Sequence, residues 1–200
     1  MNSPVFRIIR AEDLAVVPWK NGGGVTTEIA AGAPRADDQD WTWRVSVADV
    51  AASGPFSEFP GIDRTIAVIE GNGMDLQFDD GRMVPLELDQ PADFDGGDAV
   101  TGILRDDAIR DFNVMVDRRY YSTRLDIAQK METVPCRLSA GSVLLIHVLN
   151  GACAVACGGQ DDPLGPDESA IFEGVAQVSV SVRAGARVAI VTLEGVAGAD

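Results

Sequence analysis

Histidine is nearly missing from this chain: among 200 residues there is one, His147. A mononuclear metal site gathers three or four ligands from His, Cys, Asp or Glu onto one point. A lone imidazole inside the aliphatic run Val143-Leu144-Leu145-Ile146-His147-Val148-Leu149 reads instead as a hydrogen-bonded core residue, so neither a metal nor any other cofactor is expected. Cysteine is scarce too, at three residues. The odd count excludes a complete disulfide framework, and Cys153-x-x-x-Cys157 lacks the two-residue spacing of a zinc knuckle. Reduced thiols of this kind suit a cytoplasm. Lysine occurs twice, and 16 basic residues face 31 acidic ones, a formal net charge of −15. Such a field repels phosphate backbones and anionic lipid, so no nucleic-acid or membrane partner is expected. The longest apolar run, 143–149, is far too short to span a bilayer. Residues 1–7 read as no signal peptide, and the expected location is cytoplasmic. A Gly-x-Ser-x-Gly nucleophile elbow and the phosphate-binding glycine motifs are also lacking.

What is present is alternation. Trp41, Trp43, Val45 and Val47 share one parity, with Thr42, Arg44, Ser46 and Ala48 on the other. The runs 177–182 and 187–191 behave likewise. Twenty-one glycines and ten prolines punctuate these short runs. β-branched residues between turn signals predict strands, and the only helical candidates are short, around 11–14 and 48–53. The outline also repeats. Val68-Ile69-Glu70-Gly71-Asn72-Gly73 lines up with Val148-Leu149-Asn150-Gly151-Ala152-Cys153, and Phe94-Asp95-Gly96 with Phe172-Glu173-Gly174. A chain of this length buries roughly 70% of its unfolded surface without staples. The pattern predicts an all-β protein, a duplicated jelly roll or bicupin, with halves at approximately 1–110 and 111–200.

Cations are conspicuous in so acidic a chain. Lys20 lies in Pro18-Trp19-Lys20-Asn21-Gly22-Gly23-Gly24. Thr26 and Glu28 alternate out of that loop, Arg44 and Ser46 alternate in the next strand, and Arg64 opens a third. If these polar faces look into one barrel, Lys20, Arg44 and Arg64 converge with Asn21, Ser46 and Asn113 on a pocket for a small carboxylate, in which planar guanidinium groups provide bidentate contact. The structural alternative pairs Arg44 with Glu28 and Arg64 with Asp63. Residues 75–111 carry eleven acidic and three basic side chains, either a solvated set of loops and edges or a docking face for a basic protein.

Pro18 through Ile29 resembles the signature of the HutD/Ves family. So do Trp43-Arg44-Val45-Ser46-Val47-Ala48, Gly54-Pro55-Phe56-Ser57, Phe59-Pro60-Gly61-Ile62-Asp63-Arg64, Glu70-Gly71-Asn72-Gly73, Phe94-Asp95-Gly96 and Asp111-Phe112-Asn113-Val114-Met115. The resemblance implies a bicupin from a bacterial cytoplasm, linked to histidine utilisation, with a modulating role favoured over catalysis and pathway acids such as urocanate or N-formylglutamate as ligands. It carries the pocket onto Lys20, Asn21, Thr26, Glu28, Arg44, Ser46, Phe56, Arg64 and Asn113, with Trp19 or Phe56 available to stack on a planar ligand. Asp117 interrupts the basic run before Arg118 and Arg119 and leaves their role open. The expected function is a metal-free bicupin that binds a small anionic metabolite and tunes histidine catabolism. The alternatives are a metal-independent isomerase or hydrolase with Glu28 as base, and a docking module using 75–111. Edge strands make a homodimer the expected assembly.

Overall fold

The computed structural model describes residues 5–19, 22–34 and 41–196. Lys20 and Asn21, two of the expected pocket residues, lie outside them. In chain order the strands are β1 (Val5–Ile9), β2 (Ala15–Pro18), β3 (Gly24–Ala31), β4 (Trp43–Val50), β5 (Gly54–Pro55), β6 (Ile62–Glu70), β7 (Met74–Phe78), β8 (Met83–Leu86), β9 (Ala92–Asp95) and β10 (Val100–Leu104). There follow β11 (Ile109–Asp117), β12 (Tyr121–Ala128), β13 (Thr133–Arg137), β14 (Val143–Asn150), β15 (Cys153–Cys157), β16 (Gln160–Leu164), β17 (Ser169–Glu173), β18 (Gln177–Val182) and β19 (Arg187–Gly195). The expected turn of helix near 11–14 is a 3-10 turn, Ala11–Asp13. That at 48–53 is not helical. Ala48 and Val50 continue β4, because they pair with Asp111 and Ile109 of β11 and stop the chain from curling.

The chain packs as two units, Ala15–Tyr121 and a second made of Met1–Leu14 with Ser122–Asp200. In the first, a sheet ordered β2-β3-β4-β11-β6-β9 packs on one ordered β5-β10-β7-β8. In the second the orders are β12-β19-β14-β17-β1 and β13-β18-β15-β16. The repeat seen in the sequence is thus strand for strand: β4, β11, β6 and β9 correspond to β12, β19, β14 and β17, and β5, β10, β7 and β8 to β13, β18, β15 and β16. Both units are jelly rolls, and the fold is a bicupin. β11 pairs with β4 and β6, so the division in packing falls after Tyr121. β1 pairs with β17, which assigns the first residues of the chain to the C-terminal unit.

Each unit fills the space between its sheets with aliphatic and aromatic side chains. Ile66, Val68, Met74, Leu76, Phe78, Leu86 and Val100 form the first core; Leu144, Ile146, Val148, Val155, Phe172, Val180 and Val188 belong to the second. Fully burying side chains of this size contributes roughly 1.5–3 kcal/mol each. His147 is buried in the second unit with Nδ1 2.8 Å from Ser169 Oγ, the hydrogen-bonded core residue the sequence implied. Cys153 is buried and its thiol is pushed up to about 11 by desolvation, which suppresses thiolate chemistry at neutral pH.

Candidate functional site

In an antiparallel ladder, residues opposite one another point to the same face of the sheet. Met115 of β11 lies opposite Arg44 of β4 on one side and Arg64 of β6 on the other, and Arg64 lies opposite Phe94 of β9. One row further, Asn113 stands between Ser46 and Ile66, with Glu28 beyond Ser46. In the next row Asp111 stands between Ala48 and Val68, with Thr26 beyond Ala48. The register shift of β3 falls beyond them, between Glu28 and Ala30, so Thr26 and Glu28 stay in these rows. Since Ala48, Ile66 and Val68 belong to the core between the two sheets, all three rows face inward. The expected residues Thr26, Glu28, Arg44, Ser46, Arg64 and Asn113 therefore share the inner face of one jelly roll.

Arg64 is the centre of the group. Its side chain is 4% exposed, and its guanidinium carbon lies 4.9 Å from the ring centroids of both Phe56 and Phe94. The two rings stand edge to face, 6.4 Å apart. Cation–π attraction of this kind is worth roughly 1–2 kcal/mol per ring when desolvated, and it fixes the plane of the guanidinium. Phe56 reaches its place because β5 ends just before it and its N–H donates to Val100 O at 2.8 Å. The ring also needs Gly102 beneath it: a Cβ there would lie 2.8 Å from Phe56 Cε2 and 2.7 Å from Met74 Sδ. Gly102→Ala is accordingly expected to tilt Phe56 off Arg64, at a cost of about 1–3 kcal/mol in stability, readable by urea unfolding. Loss of the ring contact is read by the change in Arg64 side-chain NMR shifts.

The polar atoms around Arg64 are not all used. Arg64 Nε, Asp111 Oδ1 and Asn113 Oδ1 are buried and make no hydrogen bond among the described residues. A buried polar atom left unpaired costs about 1–3 kcal/mol, so an arrangement with three in neighbouring rows awaits a partner. Burial pulls Arg64 down to about 10, against the attraction of Asp111, and Arg44 lowers it further. Burial raises Asp111 to about 7; Arg64 opposes that rise and Asp49 reinforces it. The site thus holds a strained cation and a carboxyl poised near neutrality.

Thr26, Glu28 and Arg44 have structural partners. Arg44 Nε donates to Glu28 Oε2 at 2.7 Å, the ion pair weighed as an alternative from the sequence. Trp19 Nε1 donates to Thr26 Oγ1 at 2.7 Å, pinning the edge of the glycine loop. Arg64 does not pair with Asp63; Asp63 and Asp95 instead hold Arg118, at 2.9 and 2.7 Å. Asp63 and Arg64 are adjacent in a strand and point to opposite faces, which is why that alternative fails. Arg119 closes on Asp117 at 2.6 Å. The interrupted basic run is a pair of ion-pair clasps. Among the described residues no group of three or more His, Cys, Asp or Glu could hold a metal ion.

Comparison with known proteins decides the family. The HutD family model matches residues 11–190. The chain belongs to the HutD family. An uncharacterized 21.2 kDa protein from the hutC 3′ region of Pseudomonas putida is 35% identical over 156 residues, 78% of this chain and 80% of that protein. Protein Ves of Citrobacter koseri is 33% identical over 135 residues, 67% of this chain and 68% of its own. The solved structure of HutD from Pseudomonas fluorescens SBW25, in a formate condition, superposes with a TM-score of 0.81 at 31% identity, covering 96% of this chain and 100% of that one.

Within this HutD-family chain, the structure adds two residues to the expected site, Asp111 and Phe94. Asp111 has the parity of Asn113, two positions away on the same strand, and that signal was available in the sequence. Phe94 is visible in the sequence as part of the motif Phe94-Asp95-Gly96 and not as a site residue; its contact with Arg64 depends on the pairing of β9 with β6, which no local pattern specifies.

Proposed function

We propose that this chain binds a small carboxylate inside the Ala15–Tyr121 jelly roll, with Arg64 as its anchor, and through that ligand modulates histidine catabolism. One observation carries the reading: a guanidinium 4% exposed, clamped between two aromatic rings, with Nε unpartnered. Proteins bury an unpaired charge at a cost of several kcal/mol. A carboxylate offers the two acceptor oxygens that complete the planar fork. Ser46 and Asn113, paired in the row next to Arg64, provide orientation, and Phe56 forms an apolar wall. The histidine-utilisation context of the relatives points to pathway acids of the urocanate or N-formylglutamate class.

Two other readings find less support. Glu28, proposed as a base, is 45% exposed and held by Arg44, not buried beside a reacting group. In the acidic stretch, Asp75 and Glu87 engage Arg105, and Asp80 and Asp98 engage Arg82. These charges serve local clasps before they serve a partner.

Thermal denaturation of EDTA-treated protein with formate, urocanate, N-formylglutamate, glutamate and phosphate tests the proposal. A ligand at 100 times its Kd stabilises by about 2.7 kcal/mol, or roughly 5–10 °C for a chain of this size. A rise with a carboxylate and none with phosphate is the expected result. A flat response to every carboxylate in the panel overturns it.

A further inference from the structure

The geometry points to Asp111 as the proton-linked member of the carboxylate site, so that each carboxylate bound at Arg64 brings one proton from solvent onto Asp111. This inference rests on the anion-binding reading above and adds its regulation. Asp111 is 1% exposed, lies on the inner face with Arg64, Asn113 and Ser46, and has Oδ1 unpartnered. Few charges face it. β6 contributes Arg64, which attracts its carboxylate, while Asp49 of β4 repels it. Arg44 of β4 is engaged by Glu28 of β3. On its own strand, Arg110 is tied to Asp49 and Glu70. From the opposing sheet, β7, β8 and β10 pack Met74, Leu76, Leu86 and Val100 into this core. Among the described residues, Arg64 is thus the group whose charge favours the ionised form of Asp111.

A carboxylate arriving at Arg64 takes that support away. Its negative charge offsets the guanidinium and adds a like charge beside a buried carboxylate. Two carboxylates in one buried site do not both stay ionised. Asp111 already titrates near neutrality, at about 7, so the proton goes to it and not to the stronger acid that has entered. The balance is simple: ligand carboxylate, ionised Asp111 and one solvent proton give ligand carboxylate and neutral Asp111. The new O–H becomes a donor, which a carboxylate ligand can accept and an ionised Asp111 could not supply. Asp111 is a positioning residue in this scheme, acting on the same ligand oxygens or on Arg64. The biological reading is a metabolite sensor whose affinity falls as the cytosol becomes alkaline.

Formate is the probe, titrated into the full chain from pH 6 to 9 at constant ionic strength. In the wild type Kd is expected to be flat below about pH 7 and to rise about tenfold per pH unit above it, the slope of one linked proton. Asp111→Asn, neutral at every pH, should bind formate with a Kd that does not change across the range. That control assigns the pH dependence to the Asp111 carboxyl and not to another group of the fold. A second readout needs no variant: at pH 8 in weakly buffered solution with an indicator dye, about one proton should disappear per formate bound. A wild-type Kd independent of pH, or binding without proton uptake, overturns the linkage and leaves the anion site standing. Absence of formate binding at every pH in both proteins removes the anion site itself, and the linkage with it.

Discussion

Arg64→Met is expected to abolish the response to every carboxylate while leaving the protein about as stable as before. The first half follows from the role of the guanidinium. Truncating one partner of a buried, hydrogen-bonded charge pair costs about 2–5 kcal/mol, which is at least a thirtyfold loss of affinity. The second half follows from its burial. Burial lowers the Arg64 guanidinium from its ordinary value to about 10 in the folded chain. For a cation the sign is clear: the unfolded state holds the proton more tightly, so the charge opposes folding at all pH values below about 10. At neutral pH that opposition is on the order of 3 kcal/mol, and two cation–π contacts of roughly 1–2 kcal/mol each offset it. Methionine removes both, fills the slot between Phe56 and Phe94 with a thioether that packs well on rings, and leaves Asp111 to take its proton. Melting temperature should therefore move by only a few degrees, in either direction. Arg64→Lys keeps a charge and loses the planar fork, and should retain a weakened carboxylate response. A fall of more than about 10 °C in Arg64→Met with carboxylate binding intact would make Arg64 a residue of the fold and not of the site.

The inner face of the first jelly roll was legible in the sequence to the extent that strand parity reveals a face. Arg44 and Ser46, alternating with Trp43, Val45 and Val47, announce two-sided use of β4. Register makes those parities converge, and register is set between strands far apart in the chain. Asn113 meets Ser46 across 67 positions of sequence, and nothing local to either residue records it. The duplication was readable because turn glycines recur at matching places, Gly71 and Gly151 both holding positive φ. β1 defeats such reading: its five residues look like the start of the N-terminal unit, yet they pair with β17. Asp111 is hidden in the sequence for a different reason. An aspartate next to an arginine in an acidic stretch looks like a surface residue, and only its place between Ala48 and Val68 shows that it is buried.

In the absence of ligand, Asp111→Asn is expected to stabilise the protein at pH 8 and to change little at pH 4. The folded carboxyl titrates near 7 against an ordinary 3.8, because burial disfavours its charge more than Arg64 favours it. A carboxyl raised on folding binds its proton more tightly in the native state than in the unfolded one. Its contribution to stability is complete below about pH 3.8, declines as pH rises, and is gone once pH passes about 7. The span corresponds to about 4 kcal/mol, or of order 10 °C in melting temperature. Asparagine has nearly the shape of the protonated acid and keeps its contribution at every pH. The difference between variant and wild type should therefore grow from near zero at pH 4 to its full value by pH 8, and the shared titrations of the other acids cancel in the subtraction. A difference that is constant with pH would place the Asp111 carboxylate in a satisfied, ordinary environment. The opposite trend, a variant that loses ground as pH rises, would mean that ionised Asp111 holds Arg64 more strongly than burial penalises it. The expected sign means that ionised Asp111 makes the unliganded chain less stable than its apolar frame allows, a pattern that fits a site shaped for a ligand better than one shaped for the fold.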